Sequence, residues 1–280
     1  MNHNLKSDTQ KKNERSMMRQ AWLMTAIKAA VAAGEHILVV YNSEFSIEHK
    51  ADRSPLTLAD KQAHEAIVAL LQTTGLPTLS EEGKDIPFAE RRQWDYFWMV
   101  DPLDGTKEFI QRNGEFTVNI ALIHQDQPVM GVIWVPVKHT LYFAEEALGS
   151  YKVFPLTLPL FELEILIGQA QKLPTSMGHT PFTVVASRSH MSPETEAYIR
   201  ALEQEHGAIH TTSMGSSLKL CLVAEGMADV YPRFAPTMEW DTAAGQAIVQ
   251  AAGKQVIDHT TGQPMRYNKQ NLLNHWFVVQ

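Results

Sequence analysis

The sequence predicts a mixed α/β fold built from two halves, and three observations support it. Apolar residues at helical spacing come first, at Ala21–Tyr41 and Thr57–Leu71. A run of short apolar segments, typical of β-strands, follows, and beyond residue 180 strand-like and helix-like segments alternate. With 280 residues, the chain is long enough for one large domain or for two fused halves that bury a sizeable core.

The first half is expected to contain two helices followed by a meander of strands. Residues 1–16 are polar and are predicted to be a flexible tail, so that helical patterning starts near Met17. A polar turn at His49–Pro55 separates the two helices. The predicted strands of residues 17–150 are Pro77–Ser80, Phe97–Val100, Thr117–His124, Pro128–Pro136 and Leu141–Ala144.

The second half, residues 181–280, is predicted to alternate strands with helices. The strands are Phe182–Ala186, Ala228–Tyr231 and Trp276–Val279, and the helices are Ser192–Glu205, Leu218–Glu225 and Thr242–Ala252. Residues 151–180 are expected to form a linker or hairpin between the halves. Part of it, Val153–Gly168, is strongly apolar, which indicates either an altered hairpin or an exposed contact surface.

Composition excludes several classes of protein. The net charge is 24 − 31 = −7, so we expect no nucleic-acid partner, because such binding needs an excess of Lys and Arg. A single Cys excludes a disulfide framework and Cys-based metal clusters. We find no secretory signal in Met1–Gln20 and no apolar run near ~18 residues. The chain is therefore expected to be cytoplasmic without a transmembrane segment; peripheral association with the inner face of the membrane and the oligomeric state stay open.

The most informative stretch is DPLDGT, residues 101–106, which directly follows a predicted strand. Asp101 and Asp104 place two carboxylates three positions apart, and Gly105 allows a turn that a side chain would block. Mg²⁺ prefers oxygen ligands, so two carboxylates with a main-chain carbonyl between them suit it. A turn with solvated carboxylates is the alternative interpretation of these residues taken alone.

Two further acidic motifs lie at predicted element ends. Glu81 follows the strand at Ser80 within SEEG, and Asp241 lies in WDTAAG, where it is expected to cap a helix N-terminus. A cluster of carboxylates at such ends is costly unless cations occupy it. Together, these motifs favour a metal-dependent phosphate ester hydrolase.

SEEG, DPLDGTKEF and WDTAAG, in this order, resemble the inositol monophosphatase superfamily of magnesium-dependent, lithium-sensitive phosphomonoesterases. KEF follows DGT at the position where inositol phosphatases usually carry TNF. This string and the segments 101–123 and 212–234 resemble the corresponding sequences of the 3′(2′),5′-bisphosphate nucleotidases of the CysQ type. The resemblance runs from about Trp22 to Asp258. It implies a layered α-β-α-β-α sandwich of the sugar-phosphatase type, with the site between the two halves.

The resemblance also implies roles for matching residues. The first Mg²⁺ would be held by Glu81, Asp101 and the carbonyl of Leu103, and the second by Asp101, Asp104 and Asp241; two or three ions are expected. Thr106, with Glu81, would orient the attacking water, and Asp60 would hydrogen-bond Thr106. The amides of Gly105 and Thr106 would bind phosphate oxygens.

The implied reaction removes the 3′-phosphate of adenosine 3′,5′-bisphosphate to give AMP, with 3′-phosphoadenylyl sulfate as a related substrate. Ser216, Lys219 and Arg233 match positions that line the nucleoside part of the site, and Arg188 and His190 are further candidates. The full set of expected substrate contacts is Glu81, Leu103, Asp104, Gly105, Thr106, Ser216, Lys219, Arg233 and Asp241. An inositol or sugar phosphate phosphatase is one alternative, and a non-catalytic nucleotide-binding protein is another.

Overall fold

The structure is a computed structural model of the 280-residue chain. It describes residues 2–43, 55–159, 162–176, 178, 180–186 and 191–280, with the backbone alone at 2–13 and 55–56. The helices are α1 (Asn2–Tyr41), α2 (Pro55–Leu71), α3 (Phe88–Arg91), α4 (Thr106–Ile110), α5 (Leu163–Gln169), α6 (Pro193–His206), α7 (Leu218–Glu225) and α8 (Glu239–Ala251). The strands are β1 (Thr78–Ser80), β2 (Tyr96–Asp104), β3 (Thr117–His124), β4 (Gln127–Val135), β5 (Thr140–Glu145), β6 (Gly149–Val153), β7 (Gln171–Lys172), β8 (Phe182–Ala186), β9 (Ile209–Ser213), β10 (Tyr231–Arg233), β11 (Val256–Asp258) and β12 (Phe277–Val279).

A seven-stranded sheet, in the order β1 to β7, forms the centre of the first half. β1 pairs with β2 in parallel, and every later neighbour is antiparallel. Side chains alternate between its faces: Trp98 and Val100 pack with α1 and α2, whereas Phe97 and Met99 pack with α7 and α8. Both faces are therefore buried, which explains why the strands read as continuous apolar runs.

Small residues across three strands let α8 approach this sheet closely. Ala121, Gly131 and Ala144 are direct neighbours on β3, β4 and β5. A Cβ atom built on Gly131 would lie 2.2 Å from the main-chain oxygen of Ala244 in α8. The absence of a side chain at Gly131 therefore sets how near α8 lies to the sheet.

A second, smaller sheet lies on the other side of α7 and α8. β12 is its central strand between β10 and β11, and a bridge between Val184 and Val230 joins the parallel pair β8–β9 to it. Its outer face packs against α6 through Tyr198, Ile199 and Leu202. The order is thus helices, sheet, helices, sheet, helix, which confirms the predicted α-β-α-β-α sandwich.

Several element boundaries differ from the sequence-based expectations. α1 begins at Asn2 and includes the predicted tail, since no Gly or Pro interrupts the chain before Gly34. β2 continues to Asp104 through a bulge, where Pro102 needs no ladder hydrogen bond. α8 begins at Glu239, so Asp241 is the third helical residue and not the cap.

The segment between the halves is partly built into the first sheet. Within residues 151–180, β7 pairs with β6 at the sheet edge, and the amides of Thr175 and Ser176 donate to the carbonyl of Glu225 at the end of α7. The predicted division of the chain at residues 150 and 181 stays a prediction.

The segment Glu14–Tyr41 is long and apolar enough to cross a membrane by length and composition alone. It is not an uninterrupted apolar run of ~18 residues, because Thr25, Lys28 and Glu35 interrupt it, so the expectation that the chain contains no such run is not contradicted. In the structure, 56% of the most apolar stretch of this helix is buried, and Ile27, Ala30 and Ile37 lie in the core against α2 and the sheet. A core helix passes the same test, so membrane association stays a prediction.

Candidate active site

The parallel pairing of β1 and β2 brings the first two acidic motifs together. Ser80 is paired with Val100, and the amide of Glu81 donates to the carbonyl of Val100 over 3.1 Å. The residues that follow, Glu81 and Asp101, consequently emerge side by side at the carboxyl ends of the two strands. Asp101 is buried, with 1% of its surface exposed.

The DPLDGT turn is held by local hydrogen bonds and by one glycine. The amide of Leu103 donates to the Asp101 carboxylate over 3.1 Å, which holds that carboxylate against the turn. Gly105 has φ +97°, and a Cβ atom there would lie 3.2 Å from both the Cα of Phe116 and the Cβ of Ser216. Glycine is therefore required by conformation and by space.

α8 contributes Asp241 from the second half. The Asp241 carboxylate accepts a hydrogen bond of 2.9 Å from the amide of Met238, just before the helix. Glu239, fully buried at the helix start, accepts from the amide and the ammonium of Lys269 at 3.0 and 2.7 Å. These bonds anchor the end of α8 that faces the cavity.

The cavity that these elements enclose measures about 290 Å³ and lies between the two halves. Of the predicted site residues that the structure describes, all but Asp60 line it: Glu81, Asp101, Leu103, Asp104, Gly105, Thr106, Ser216, Lys219, Arg233 and Asp241. The sequence-based grouping of three distant motifs into one site is therefore reproduced by the fold.

The carboxylates of this cavity destabilise one another's charged forms. Burial, followed by the charges of Asp104, Glu81 and Asp241, raises the pKa of Asp101 well above its usual range. Burial and Asp104 raise the pKa of Asp241 to about 7. Partial burial and the charges of Asp104 and Glu82 raise the pKa of Glu81. A group of acids in this condition favours a bound cation.

Positive charge reaches the cavity from the second half. Lys219 is buried, and its ammonium donates to the carbonyls of Ser216 at 2.8 Å and Met214 at 3.1 Å. It also lowers the pKa of Asp104, whose net shift is upward because burial outweighs it. Arg233 lies at the end of β10, donates to the carbonyl of Pro236 at 3.0 Å, and opposes the upward pKa shift of Asp241.

The donor set fits a hard divalent cation. Carboxylates and one carbonyl supply oxygen alone, which Mg²⁺ prefers over nitrogen or sulfur sites. Among the described residues, no three His, Cys, Asp or Glu side chains already enclose a cation position. The fit therefore rests on the shared cavity, the oxygen donors and the mutual repulsion of the acids.

Two sets of predicted residues lie elsewhere. Asp60 is on α2 outside the cavity lining, and burial and the charges of Glu82 and Glu81 raise its pKa to about 8. Asp60 and Thr106, both among the residues that the structure describes, are not hydrogen-bonded to each other, so the implied bond is not present in this arrangement. Arg188 and His190 lie outside the described residues.

Sequence reasoning missed several cavity residues. Glu108, Met214, Ser217, Tyr231 and Thr237 also line it. Glu108 belongs to the motif KEF and Tyr231 to YPRF, so both lie close in sequence to residues that were predicted to form the site. This closeness in sequence could have identified them. Thr237 carries no such signal, because it reaches the cavity through the loop that enters α8.

Comparison with known proteins decides the family. The model of the inositol monophosphatase family matches residues 18–276. The chain belongs to the inositol monophosphatase family. Membership in the inositol monophosphatase family implies a divalent metal, in agreement with the oxygen-donor cluster.

Relatives within the family are closely similar over most of the chain. The 3′(2′),5′-bisphosphate nucleotidase CysQ of Shigella flexneri is 46% identical over 253 residues, which is 88% of this chain and 94% of that protein. The enzyme of the same name from Escherichia coli K12 is 45% identical over the same lengths.

Solved structures of the family share this fold. The crystal structure of CysQ from Bacteroides thetaiotaomicron has a TM-score of 0.89 and 56% identity, covering 93% of this chain and 97% of that one. An inositol monophosphatase from Zymomonas mobilis has a TM-score of 0.69 at 22% identity, over 92% and 91% of the two chains. This second likeness shows the fold alone.

Proposed function

We propose that this chain is a Mg²⁺-dependent phosphomonoesterase that hydrolyses the 3′-phosphate of adenosine 3′,5′-bisphosphate to AMP and phosphate, with 3′-phosphoadenylyl sulfate as a related substrate. One observation carries the proposal: a single cavity is lined both by a carboxylate cluster and by the cationic side chains of Lys219 and Arg233. A bisphosphate needs both environments. The relatives of 45–46% identity are named 3′(2′),5′-bisphosphate nucleotidases, which supports this substrate class.

The metal would be held by the acidic side of the cavity. Glu81, Asp101 and the carbonyl of Leu103 would hold one ion, and Asp101, Asp104 and Asp241 a second, with two or three Mg²⁺ expected. Bound Mg²⁺ supplies positive charge that lowers the pKa of a water and stabilises the departing oxygen. The buried, mutually repelling carboxylates provide the compensating negative charge.

The chain's own groups orient the reactants. The Thr106 hydroxyl, exposed to the cavity, can donate and accept at once, so with Glu81 it can position the attacking water and direct its proton. The amides of Gly105 and Thr106 begin a helix and have no intrahelical acceptor, so they can donate to phosphate oxygens. The expected role of Asp60 is to accept from the Thr106 hydroxyl, an interaction that the two residues do not make in this structure.

The second half would select the nucleotide. Arg233 and Lys219 provide charge-assisted donors for the non-reacting 5′-phosphate. Ser216 has φ +45°, an uncommon conformation for serine, and its hydroxyl donates to the carbonyl of Glu115 at 2.8 Å. The loop is thus held in a strained shape against Gly105, which is typical of functional sites.

The test measures phosphate release from adenosine 3′,5′-bisphosphate, with Mg²⁺ and again with EDTA. We expect release that chelation abolishes. Asp101→Asn should lower kcat/KM by at least about 10²-fold at saturating Mg²⁺. Asp126→Asn is the matched control, because Asp126 is a half-exposed partner of Arg266 outside the cavity lining.

The outcome also separates the alternatives. A higher kcat/KM on inositol 1-phosphate than on the nucleotide would favour an inositol phosphatase. Nucleotide binding without turnover in the wild-type protein would favour a binding protein. Full activity of Asp101→Asn would contradict the metal assignment. Unchanged activity at high Li⁺ would contradict the expected lithium sensitivity.

A further inference from the structure

A buried polar network connects the metal side of the cavity to the nucleotide side. β2 and β3 are paired so that Asp101 lies opposite Asn119 and Asp104 opposite Thr117. Ser217, directly before α7, comes from the second half. Thr117, Asn119 and Ser217 are all at most 2% exposed, so water does not satisfy their polar groups.

The hydrogen bonds of this network fix the orientation of the Asn119 side chain. The Oδ1 atom of Asn119 lies 2.8 Å from the Ser217 hydroxyl and 3.1 Å from the Thr117 hydroxyl, which lie 2.8 Å from each other. Hydroxyls can donate to this oxygen, and the ionised Asp104 carboxylate, which can only accept, would repel Oδ1 if the amide were reversed. The nitrogen Nδ2 therefore has to point the other way, where the Asp104 carboxylate lies at 3.5 Å.

We infer that Asn119 is a positioning residue for the metal site: its amide orients the Asp104 carboxylate, and its oxygen ties that carboxylate to Ser217 on the nucleotide side. Asn119 itself does not line the cavity, so it acts through Asp104 and Ser217. The inference deepens the proposed function and rests on it, since Asp104 is a proposed metal ligand.

A neutral amide is suited to this place. A carboxylate at position 119 would repel Asp104, and an apolar side chain would remove both the acceptor that the two buried hydroxyls share and the amide donor to Asp104. Hydrogen bonds from outer residues that orient ligands typically change metal affinity by about 10–100-fold. The same size of effect is expected here.

The experiment titrates Mg²⁺ into the full chain without substrate and measures the dissociation constant by calorimetry. Asn119→Leu keeps the branching and the number of heavy atoms of the side chain and removes the amide, and we expect its Mg²⁺ affinity to fall at least about tenfold. Thr117→Val is the matched control: it removes a buried hydroxyl of the same network that does not contact Asp104. Its Mg²⁺ affinity should stay close to that of the wild type, although both variants lose thermal stability.

A second readout separates positioning from general damage. At saturating Mg²⁺, Asn119→Leu should lower kcat more than it changes KM for adenosine 3′,5′-bisphosphate, because the nucleotide contacts remain. If Asn119→Leu does not fold, Asn119→Ser, whose hydroxyl is too short to reach Asp104, replaces it.

Two results would overturn the assignment. One is wild-type Mg²⁺ affinity in a folded Asn119 variant, and the other is an equal loss of affinity in Thr117→Val. A wild-type chain that binds no Mg²⁺ would overturn the proposed function itself, and with it this inference.

Discussion

Replacing Gly131 by alanine tests whether close packing of α8 against the sheet positions the catalytic cavity. The added Cβ atom would lie 2.2 Å from the carbonyl oxygen of Ala244 and 3.0 Å from the Cβ of Ala247. Ordinary van der Waals contact begins near 3.4 Å, so the helix or the strand would have to withdraw by about 1 Å. The obstructing atom is helix backbone, which cannot rotate away as a side chain could.

This displacement should reduce both stability and activity. Overpacking of a filled core costs about 1–3 kcal/mol, which corresponds to about 2–12 °C in unfolding temperature for a chain of this size. α8 carries Asp241 three residues before Ala244, so the carboxylate moves with the helix. A misplacement of about 1 Å in an active site can cost about 10²-fold in rate, and kcat/KM should fall by up to that factor.

The assay combines thermal unfolding with kcat/KM for adenosine 3′,5′-bisphosphate at saturating Mg²⁺. Gly168→Ala is the control, because Gly168 lies in α5 and a Cβ atom there meets nothing within 4 Å. It should leave activity unchanged and raise stability by up to about 1 kcal/mol. If Gly131→Ala keeps wild-type kcat/KM, or if Gly168→Ala is equally damaging, the argument that close packing positions Asp241 is wrong.

Three further predictions follow from the same structure. In EDTA, the unfolding temperature should fall as the pH rises from 6 to 8. Burial raises the pKa of Asp241 to about 7 and that of Asp60 to about 8, so the folded chain binds more protons than the unfolded chain, and the loss of these protons lowers the stability. Thermal melts with and without Mg²⁺ should therefore differ more at pH 8 than at pH 6. Gly105→Ala should lower kcat/KM at least about tenfold. Gly75 also has a positive φ, but a Cβ atom there would meet nothing within 4 Å, so Gly75→Ala should lower stability without changing activity. Enzyme kinetics and thermal melts of both variants test this. Glu225→Gln should lower the free energy of unfolding by about 1–3 kcal/mol, because Glu225 accepts a hydrogen bond from Tyr142 at 2.6 Å and pairs with Lys152 at 2.7 Å. Urea unfolding measures this change, and Glu146→Gln, at an exposed residue, is the control.

The acidic motifs could be predicted from sequence because each is local. Asp101 and Asp104 follow an apolar strand within a few residues, and Gly105 marks the turn that follows. The position of Glu81 beside Asp101 was inferred from the family resemblance alone. It depends on the parallel pairing of two strands that lie 20 residues apart along the chain. The spacing of apolar residues predicts that a strand exists, but it does not show which other strand pairs with it.

Elements held by distant partners could not be placed from sequence. At the start of α8, the buried carboxylate of Glu239 binds Lys269, 30 residues later, which no local pattern reveals. α4 has five residues, too few to show a helical period, and β9 (IHTTS) is too polar to read as a buried strand. In each case tertiary contacts, and not local preference, decide the boundary.

Both halves supply charged groups to the site: the second half contributes Asp241 as well as Lys219 and Arg233. The first sheet places Glu81, Asp101 and Asp104 on rigid strand ends, where carboxylates repel one another and need a cation. Lys219 and Arg233 come from the second half, and their charges act on the acids of the same cavity, because Lys219 opposes the upward pKa shift of Asp104 and Arg233 opposes that of Asp241. A bisphosphate would span this gradient, with one phosphate on the metal side and the other on the cationic side. Asn119 then matters because it contacts Asp104 from the first half and Ser217 from the second, and so joins the two halves at the site.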